Sequence, residues 1–185
     1  MNRRVKGTLF RDYVRTIRAH KDVHWLELFH LEDLPYLADR VDPEAWYPMA
    51  TFERMGLAIL KLVANNDWRQ VQAFGSASVD WILNKHGDLL VVGDPSATVD
   101  RFQRERQSFF DFPAITVTEL GREQAVIALS YGMSPLAEEA ACVQTLGFFL
   151  RLVEKAGGRG AQAEFSSKAW GGDACTSLRL NWNMG

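Results

Sequence analysis

The sequence predicts an α+β fold in which a helical N-terminal half packs on a four-stranded antiparallel sheet crossed by one long helix. Apolar residues recur at helical spacing over about the first 110 residues. From there the apolar period changes to two in four runs, which is typical of strands. An amphipathic segment from Pro135 to about Ala156 separates the second run from the third. The four predicted strands cover residues 113–119, 123–131, 162–168 and 176–184.

Local signals predict where the helices of the N-terminal half begin and end. Thr8 is placed as the N-cap of the first helix, and Asp42-Pro43-Glu44 has the composition of a later helix start. Gly75 is expected to end one helix, so that another begins near Val79. Asp94-Pro95 predicts the start of a last helix that ends near residue 110.

The second strand of the C-terminal half is predicted to be central in the sheet. Ala125, Ile127 and Leu129 are apolar on one face, and Val126 and Ala128 are apolar on the other. Strands that are buried on both faces have this composition. We expect one domain, 1–185, with a helical subregion at 1–110 and a ββαββ subregion at 113–185.

The composition is that of an ordinary globular protein and excludes several classes of function. The chain of 185 residues is 47% hydrophobic and 24% charged. Its formal charge of −2 argues against a nucleic-acid surface, and no apolar run approaches the roughly 18 residues of a membrane span. Two cysteines, Cys142 and Cys175, permit one disulfide, but free thiols in a cytoplasmic protein are the simpler interpretation.

Few residues carry the spacing of a catalytic or metal site. His20 and His24 are four residues apart, but the glutamate of a zinc-protease motif is missing between them. Neither cysteine lies in a recognisable nucleophile motif, so we expect no enzyme. Large rings line apolar ligand pockets as well as filling cores, and the chain has six tryptophans: Trp25, Trp46, Trp68, Trp81, Trp170 and Trp182.

Three segments carry a resemblance to known families. The opening Val5-Lys-Gly-Thr-Leu-Phe10 resembles the start of the haem nitric-oxide/oxygen-binding (H-NOX) family and its haem-free bacterial relatives. Cys142-Val-Gln-Thr-Leu-Gly147, followed by the segment 165–175, is similar to the C-terminal pattern of 4-vinyl-reductase domains. The order of elements resembles the wider superfamily that also contains the TRAPP vesicle-tethering subunits.

The sequence departs from the family patterns at the residues that would hold a cofactor. The haem-ligating histidine of an H-NOX protein would fall near Arg101-Phe102, where no histidine occurs. The family's Tyr-x-Ser-x-Arg haem clamp keeps only its tyrosine, as Tyr131, so we expect no haem. A zinc site like that of some 4-vinyl-reductase relatives would use Cys142, Cys175 and Asp173. That site lacks its intermediate cysteine, so zinc is not expected either.

The resemblance implies a non-enzymatic sensory, ligand-binding or adaptor domain in the bacterial cytoplasm, with a homodimer as its expected state. A small apolar or aromatic ligand would lie between helices and sheet, near Trp46, Tyr47, Tyr131 and Cys142. The first alternative is a protein–protein interaction module with a filled core, as in TRAPP subunits. The second is a haem-based gas sensor that uses one of four histidines, His20, His24, His30 or His86. The third is an enzyme that uses one of the cysteines.

Overall fold

The computed structural model of the chain describes residues 3–21 and 24–184, which divide into two compact units. The N-terminal unit comprises Met1–Asp67 together with Gln107–Phe112, and the sheet unit comprises Trp68–Arg106 together with Pro113–Gly185.

The N-terminal unit combines three helices with a small two-stranded sheet. Strands β1 and β2 pair antiparallel, with Val5 opposite Tyr47. The elements are β1 (Arg4–Lys6), α1 (Gly7–Ala19), α2 (Leu34–Ala38), β2 (Trp46–Pro48) and α3 (Met49–Leu62), with 3₁₀ turns at Trp25–Leu28, Leu31–Asp33 and Arg106–Ser108. The buried faces of α1 and α3 supply the core of this unit, including Phe10, Val14, Ile17, Phe52 and Met55.

Strand β1 is also fixed by residues that follow it by more than 100 positions. The Lys6 amide donates a hydrogen bond of 2.8 Å to the Phe109 carbonyl. Arg4 binds the Asp111 carboxylate through its backbone amide at 2.7 Å and through Nε at 2.8 Å. Val5, between these two residues, is fully buried. The segment 109–111 therefore completes the small sheet on the side opposite β2.

A buried carboxylate, Asp33, connects α3 to the turn before α2. It accepts hydrogen bonds from the Thr51 hydroxyl at 2.6 Å, from Arg54 Nε at 2.7 Å and from the His30 amide at 2.9 Å. Burial by itself raises the pKa of Asp33, but these hydrogen bonds and the Arg54 charge outweigh burial, so the pKa lies below its usual value. The ionised form of Asp33 thus stabilises the folded state.

Asp12, on α1, has the opposite electrostatic balance. Its Oδ1 atom is buried and accepts no hydrogen bond within the described residues, although Arg15 Nη2 lies 3.2 Å away. Burial raises the pKa of Asp12, and the nearby charges of Arg15 and Arg11 lower it by less. The ionised form of Asp12 is therefore unfavourable in the folded state.

Two local predictions for this unit are wrong. Thr8 is not an N-cap, since α1 begins at Gly7, and the Thr8 hydroxyl instead donates to the Pro43 carbonyl at 3.1 Å. Asp42-Pro43-Glu44 does not begin a helix; it forms a turn in which the Asp42 carboxylate accepts the Glu44 amide at 2.9 Å. The strands β1 and β2 were not predicted at all.

The sheet unit contains the predicted ββαββ arrangement. Its four strands are all antiparallel and lie in the order β3-β4-β6-β5, which confirms the predicted sheet and the central position of β4. The helix α6 packs on the face that carries Ile127, Leu178 and Leu180. The elements are α4 (Trp68–Lys85), α5 (Pro95–Glu105), β3 (Ile115–Leu120), β4 (Gln124–Leu129), α6 (Pro135–Lys155), β5 (Arg159–Ser167) and β6 (Thr176–Asn183), with 3₁₀ turns at Gly87–Leu89 and Ala169–Gly171.

Helices α4 and α6 cross at two glycines, with their backbones in contact. A Cβ atom placed on Gly75 would lie 1.8 Å from the Gln144 carbonyl oxygen, and one on Gly147 would lie 2.0 Å from the Gln72 carbonyl oxygen. The Ser76 hydroxyl adds a hydrogen bond of 3.0 Å to the Gly147 carbonyl. The prediction that Gly75 ends a helix is wrong, because this glycine is required inside a continuous helix by the approach of α6.

Helices α4 and α5 belong with the sheet, whereas 107–112 belongs with the N-terminal unit. Helix α5 also packs on α6, through Phe102, whose ring centroid lies 5.2 Å from that of Phe148 and 5.0 Å from that of Phe149. Among the described residues, none of the helices combines the length and the apolar character needed to cross a membrane.

Candidate functional site

A buried glutamate organises the loop between β4 and α6, which carries the candidate residue Tyr131. The Glu138 carboxylate accepts the Tyr131 amide at 2.8 Å through one oxygen and the Met133 amide at 2.9 Å through the other. Gly132, between these residues, has a φ of +70°, which favours glycine and turns both amides towards the carboxylate. Amide–carboxylate hydrogen bonds of this kind are among the stronger ones in proteins. Glu138 therefore fixes the backbone at the predicted site.

The Tyr131 side chain is directed onto α6, where its hydroxyl has a partner. Tyr131 is 4% exposed, and its hydroxyl lies 2.5 Å from Thr145 Oγ1. The Thr145 hydroxyl donates its own hydrogen to the Ala141 carbonyl at 2.8 Å, so Tyr131 is the donor in the pair. The ring of Tyr131 is therefore held in one orientation by a polar contact at its end.

Cys142 lies on the same face of α6 as Thr145, three residues earlier in the helix. Its side chain is fully buried. Burial raises the pKa of the Cys142 thiol, and the charge of Glu138 raises it further, while a hydrogen bond with Thr176 acts in the opposite direction. A thiol with these surroundings stays protonated at neutral pH and behaves as an apolar group.

Tyr47 forms part of the aromatic core of the N-terminal unit. Its ring stacks on Phe10 with a centroid distance of 4.4 Å and meets Tyr36 edge-on at 5.7 Å. The Tyr47 hydroxyl accepts a hydrogen bond of 2.8 Å from the Asp42 amide. The side chain is half-buried, so part of this aromatic surface is accessible to solvent.

Trp46 precedes Tyr47 in β2, and its ring lies beside cationic side chains. Lys6 Nζ is 5.0 Å and the Arg4 guanidinium is 5.9 Å from the Trp46 ring centroid. Successive side chains of a strand point to opposite faces, so Trp46 and Tyr47 do not share one surface. Tyr131 therefore contacts the face of α6 that carries Cys142 and Thr145. Trp46 and Tyr47, by contrast, lie on opposite faces of β2.

The residues at the expected haem positions do not match the donors of a haem site. Phe102 stands where the axial ligand was expected, and it is buried against Phe148 and Phe149. All four histidines are at least partly exposed. His20 Nδ1 is 2.8 Å from the Thr16 carbonyl at the end of α1, and His30 Nδ1 is 3.8 Å from Glu32. The residues that are present therefore do not fit haem held in the H-NOX manner.

The residues of the zinc alternative differ in their surroundings. Cys142 is buried whereas Cys175 is exposed, and both are free thiols. The Asp173 carboxylate accepts the Lys168 amide at 2.6 Å. Within the part of the chain that the structure describes, no three His, Cys, Asp or Glu side chains come together as a metal site.

Sequence reasoning missed the polar residues that support the site. Glu138 and Thr145 lie within the predicted amphipathic segment, and Thr176 begins a predicted strand, but the sequence pattern does not single out any of the three. A glutamate four residues after the serine of a Ser-Pro helix start, with Tyr-Gly just before that start, is the sequence signal that marks this arrangement.

Solved structures similar to this chain include H-NOX proteins and a vesicle-trafficking subunit. An Fe(II) unliganded H-NOX mutant from K. algicida aligns with a TM-score of 0.68 and 14% identity, over 96% of this chain and 96% of that chain. An H-NOX protein from S. oneidensis in the Fe(II)NO ligation state aligns with a TM-score of 0.66 and 15% identity, over 96% of this chain and 99% of that chain. Trafficking protein particle complex subunit 3 from Naegleria fowleri, covalently bound to palmitic acid, aligns with a TM-score of 0.51 and 14% identity. The alignment covers 74% of this chain and 97% of that chain.

Sequence comparisons add nothing to this likeness, since no protein-family model and no curated protein matches the chain. The similarity to H-NOX structures covers nearly the full length and includes the four-stranded antiparallel sheet. The chain therefore has the H-NOX/TRAPP-like fold.

Proposed function

We propose that this chain is a non-enzymatic sensory domain that binds a small apolar or aromatic molecule. The observation that carries the proposal is the likeness to H-NOX structures, at a TM-score of 0.68 over 96% of the chain. Those proteins hold Fe(II) and, in one structure, NO. A sensory response requires that the ligand bind two states of the domain with different affinities.

The proposed ligand is a molecule other than haem. Phe102 lies where the axial ligand was expected, and the four histidines lie at least partly exposed at helix ends and turns. Apolar pockets are lined mainly by aromatic and aliphatic groups, with a few polar atoms that set the orientation of the ligand. Within the N-terminal unit, the half-buried rings of Trp46 and Tyr47 offer aromatic surface of this kind. Within the sheet unit, Tyr131 and the protonated thiol of Cys142 are buried on contacts with α6.

Both free thiols support a reducing compartment, and we place the domain in the bacterial cytoplasm on this ground. A homodimer is part of the same proposal, because soluble oligomers are most often two-fold symmetric pairs.

Native mass spectrometry of protein purified from its own host tests the proposal. We expect a mass above that of the polypeptide, which returns to the polypeptide mass on denaturation, and we expect two chains per assembly. Trp46→Leu should reduce ligand occupancy several-fold. Trp170→Leu is the matched control, because Trp170 is also half-buried but packs on Phe165 outside the candidate set.

An absorption spectrum after incubation with haem separates the two ligand classes. We expect no Soret band. A Soret band that disappears in one histidine variant would replace the proposal with a haem sensor, and a native mass equal to that of the polypeptide alone would remove the ligand.

The second candidate is a protein–protein interaction module of the TRAPP type. It is favoured by the burial of Tyr131 and Cys142 and by large apolar side chains that are exposed elsewhere, with Leu31 at 87% and Val92 at 81%. The same native spectrum distinguishes this function, since a second polypeptide without a small molecule is its expected result.

A further inference from the structure

The face of the sheet opposite α6 forms a polar groove. The side chains of β4 and β6 alternate between the two faces, so that Leu178 and Leu180 are buried while Arg179 and Asn181 are exposed. A cavity of about 570 Å³ lies over the exposed face. This size is within the range of small-molecule sites. Its lining includes Glu119, Gln124, Val126, Glu164, Arg179 and Asn181.

The pairing register places four of these residues in one row across the sheet. Glu119 is opposite Val126, Val126 is opposite Arg179, and Arg179 is opposite Glu164. A carboxylate therefore stands on each edge strand, with an apolar floor and one guanidinium between them. In the neighbouring row, the carboxamides of Gln124 and Asn181 face each other.

The groove has an unbalanced negative charge and hydrogen-bonding groups that the protein does not use. Arg179 Nη1 lies 4.0 Å from Glu164, so these two charges offset each other. In the part of the chain that the structure describes, the side chains of Glu119, Gln124 and Asn181 have no hydrogen bond or ion pair. One carboxylate and two carboxamides thus remain available to a ligand beside the half-buried Val126.

We propose that this groove is a second binding site, specific for a small polar ligand that carries an ammonium or guanidinium group. The cation would lie against Glu119, and the carboxamides of Gln124 and Asn181 would bind the polar remainder of the ligand. An anionic ligand is disfavoured, because Arg179 is flanked by Glu164 and the row also contains Glu119. The proposal concerns the sheet unit alone and does not depend on the sensory function proposed above.

Titration of ¹⁵N-labelled protein with spermidine at low ionic strength tests the site. We expect shifts of the backbone amides around Val126 and Arg179. Glu119→Gln should weaken binding about two- to five-fold, and Arg179→Gln should strengthen it by a similar factor, since exposed charge pairs have this magnitude. Glu27→Gln removes the same charge from an exposed 3₁₀ turn outside the sheet and should leave the affinity unchanged.

The opposite signs of the two groove variants make the test specific. Equal weakening by Glu119→Gln and Glu27→Gln would show only general attraction to a negative protein and would overturn the proposal. Shifts caused by inorganic phosphate that Arg179→Gln abolishes would identify an anion site, which also overturns it. Absence of any spermidine-dependent shift at β4 and β6 has the same consequence. The exposed positions of all three substitutions leave the core intact, which circular dichroism verifies.

Discussion

The crossing of α4 and α6 predicts a large penalty for adding one methyl group. In Gly147→Ala, the new Cβ atom would lie 2.0 Å from the Gln72 carbonyl oxygen, whereas ordinary contacts begin near 3.4 Å. The atom in the way belongs to the backbone of α4, so no change of side-chain rotamer can make room and the two helices must move apart. Overpacking costs about 1–3 kcal/mol and more where backbone resists, and the preference of alanine for helices returns about 1 kcal/mol. We expect a net loss of about 2 kcal/mol in the free energy of unfolding.

Urea unfolding followed by far-ultraviolet circular dichroism measures this loss, which corresponds to a decrease in Tm of about 4–8 °C for a chain of this size. Gly75→Ala should behave alike, because its Cβ atom would lie 1.8 Å from the Gln144 carbonyl oxygen. Gly87→Ala is the control, since nothing lies within 4 Å of its Cβ position. It should change stability by less than about 0.5 kcal/mol.

The reasoning would be refuted if Gly147→Ala and Gly87→Ala were equally stable. The helices would then be far enough apart to accept a methyl group, and the continuous course of α4 through Gly75 would need another cause.

Three further predictions concern titratable groups. Asp33→Asn should lower the free energy of unfolding by about 2–4 kcal/mol. The pKa of Asp33 is lower in the folded than in the unfolded state, so its contribution to stability is present above the unfolded pKa and is lost as the pH falls through the folded pKa. Urea midpoints measured between pH 7 and pH 3 should therefore depend less on pH in the variant than in the wild type. Asp12→Asn should instead raise the free energy of unfolding at pH 7 by up to about 1 kcal/mol. The pKa of Asp12 is raised in the folded state, so the wild-type protein loses stability as the pH rises through that folded pKa. A urea midpoint that is unchanged or lower in the variant would contradict the assignment. With a thiol reagent at pH 8, Cys175 should react in the native protein and Cys142 only after unfolding, because Cys142 is buried and its pKa is raised; rapid reaction of both would reopen a role for Cys142 in catalysis.

The sheet half was predictable because its signals are local. Alternation of apolar residues identified the four strands, and the Ser134-Pro135 start of α6 lies where the sequence placed it. Strand β4 is central because both of its faces carry apolar side chains, a property that one strand shows by itself.

The features that were missed depend on distant partners. Strands β1 and β2 have three residues each, too few to show a period, and they exist because the chain brings Val5 opposite Tyr47 and beside Phe110. Gly75 carries a helix-ending signal that its contact with Gln144 overrides.

The candidate site shows the same limit. Tyr131 lies in the loop just after β4, and Cys142 lies on the buried face of α6. Their polar partners Glu138 and Thr145 become recognisable only once the loop after β4 is folded. Trp46 and Tyr47 are neighbours in sequence, and a strand necessarily turns them to opposite faces.

The discontinuous course of the N-terminal unit has a consequence for biosynthesis. The chain leaves that unit after Asp67 and returns to it at Gln107, and the Arg4–Asp111 pair spans 107 positions. During translation, β1 therefore emerges from the ribosome long before its second neighbour has been made. One edge of β1 stays unpaired while α4 and α5 are synthesised, and an unpaired strand edge can form non-native pairings or aggregate. Slower translation between residues 67 and 112 would lengthen the time for which this edge of β1 is unpaired.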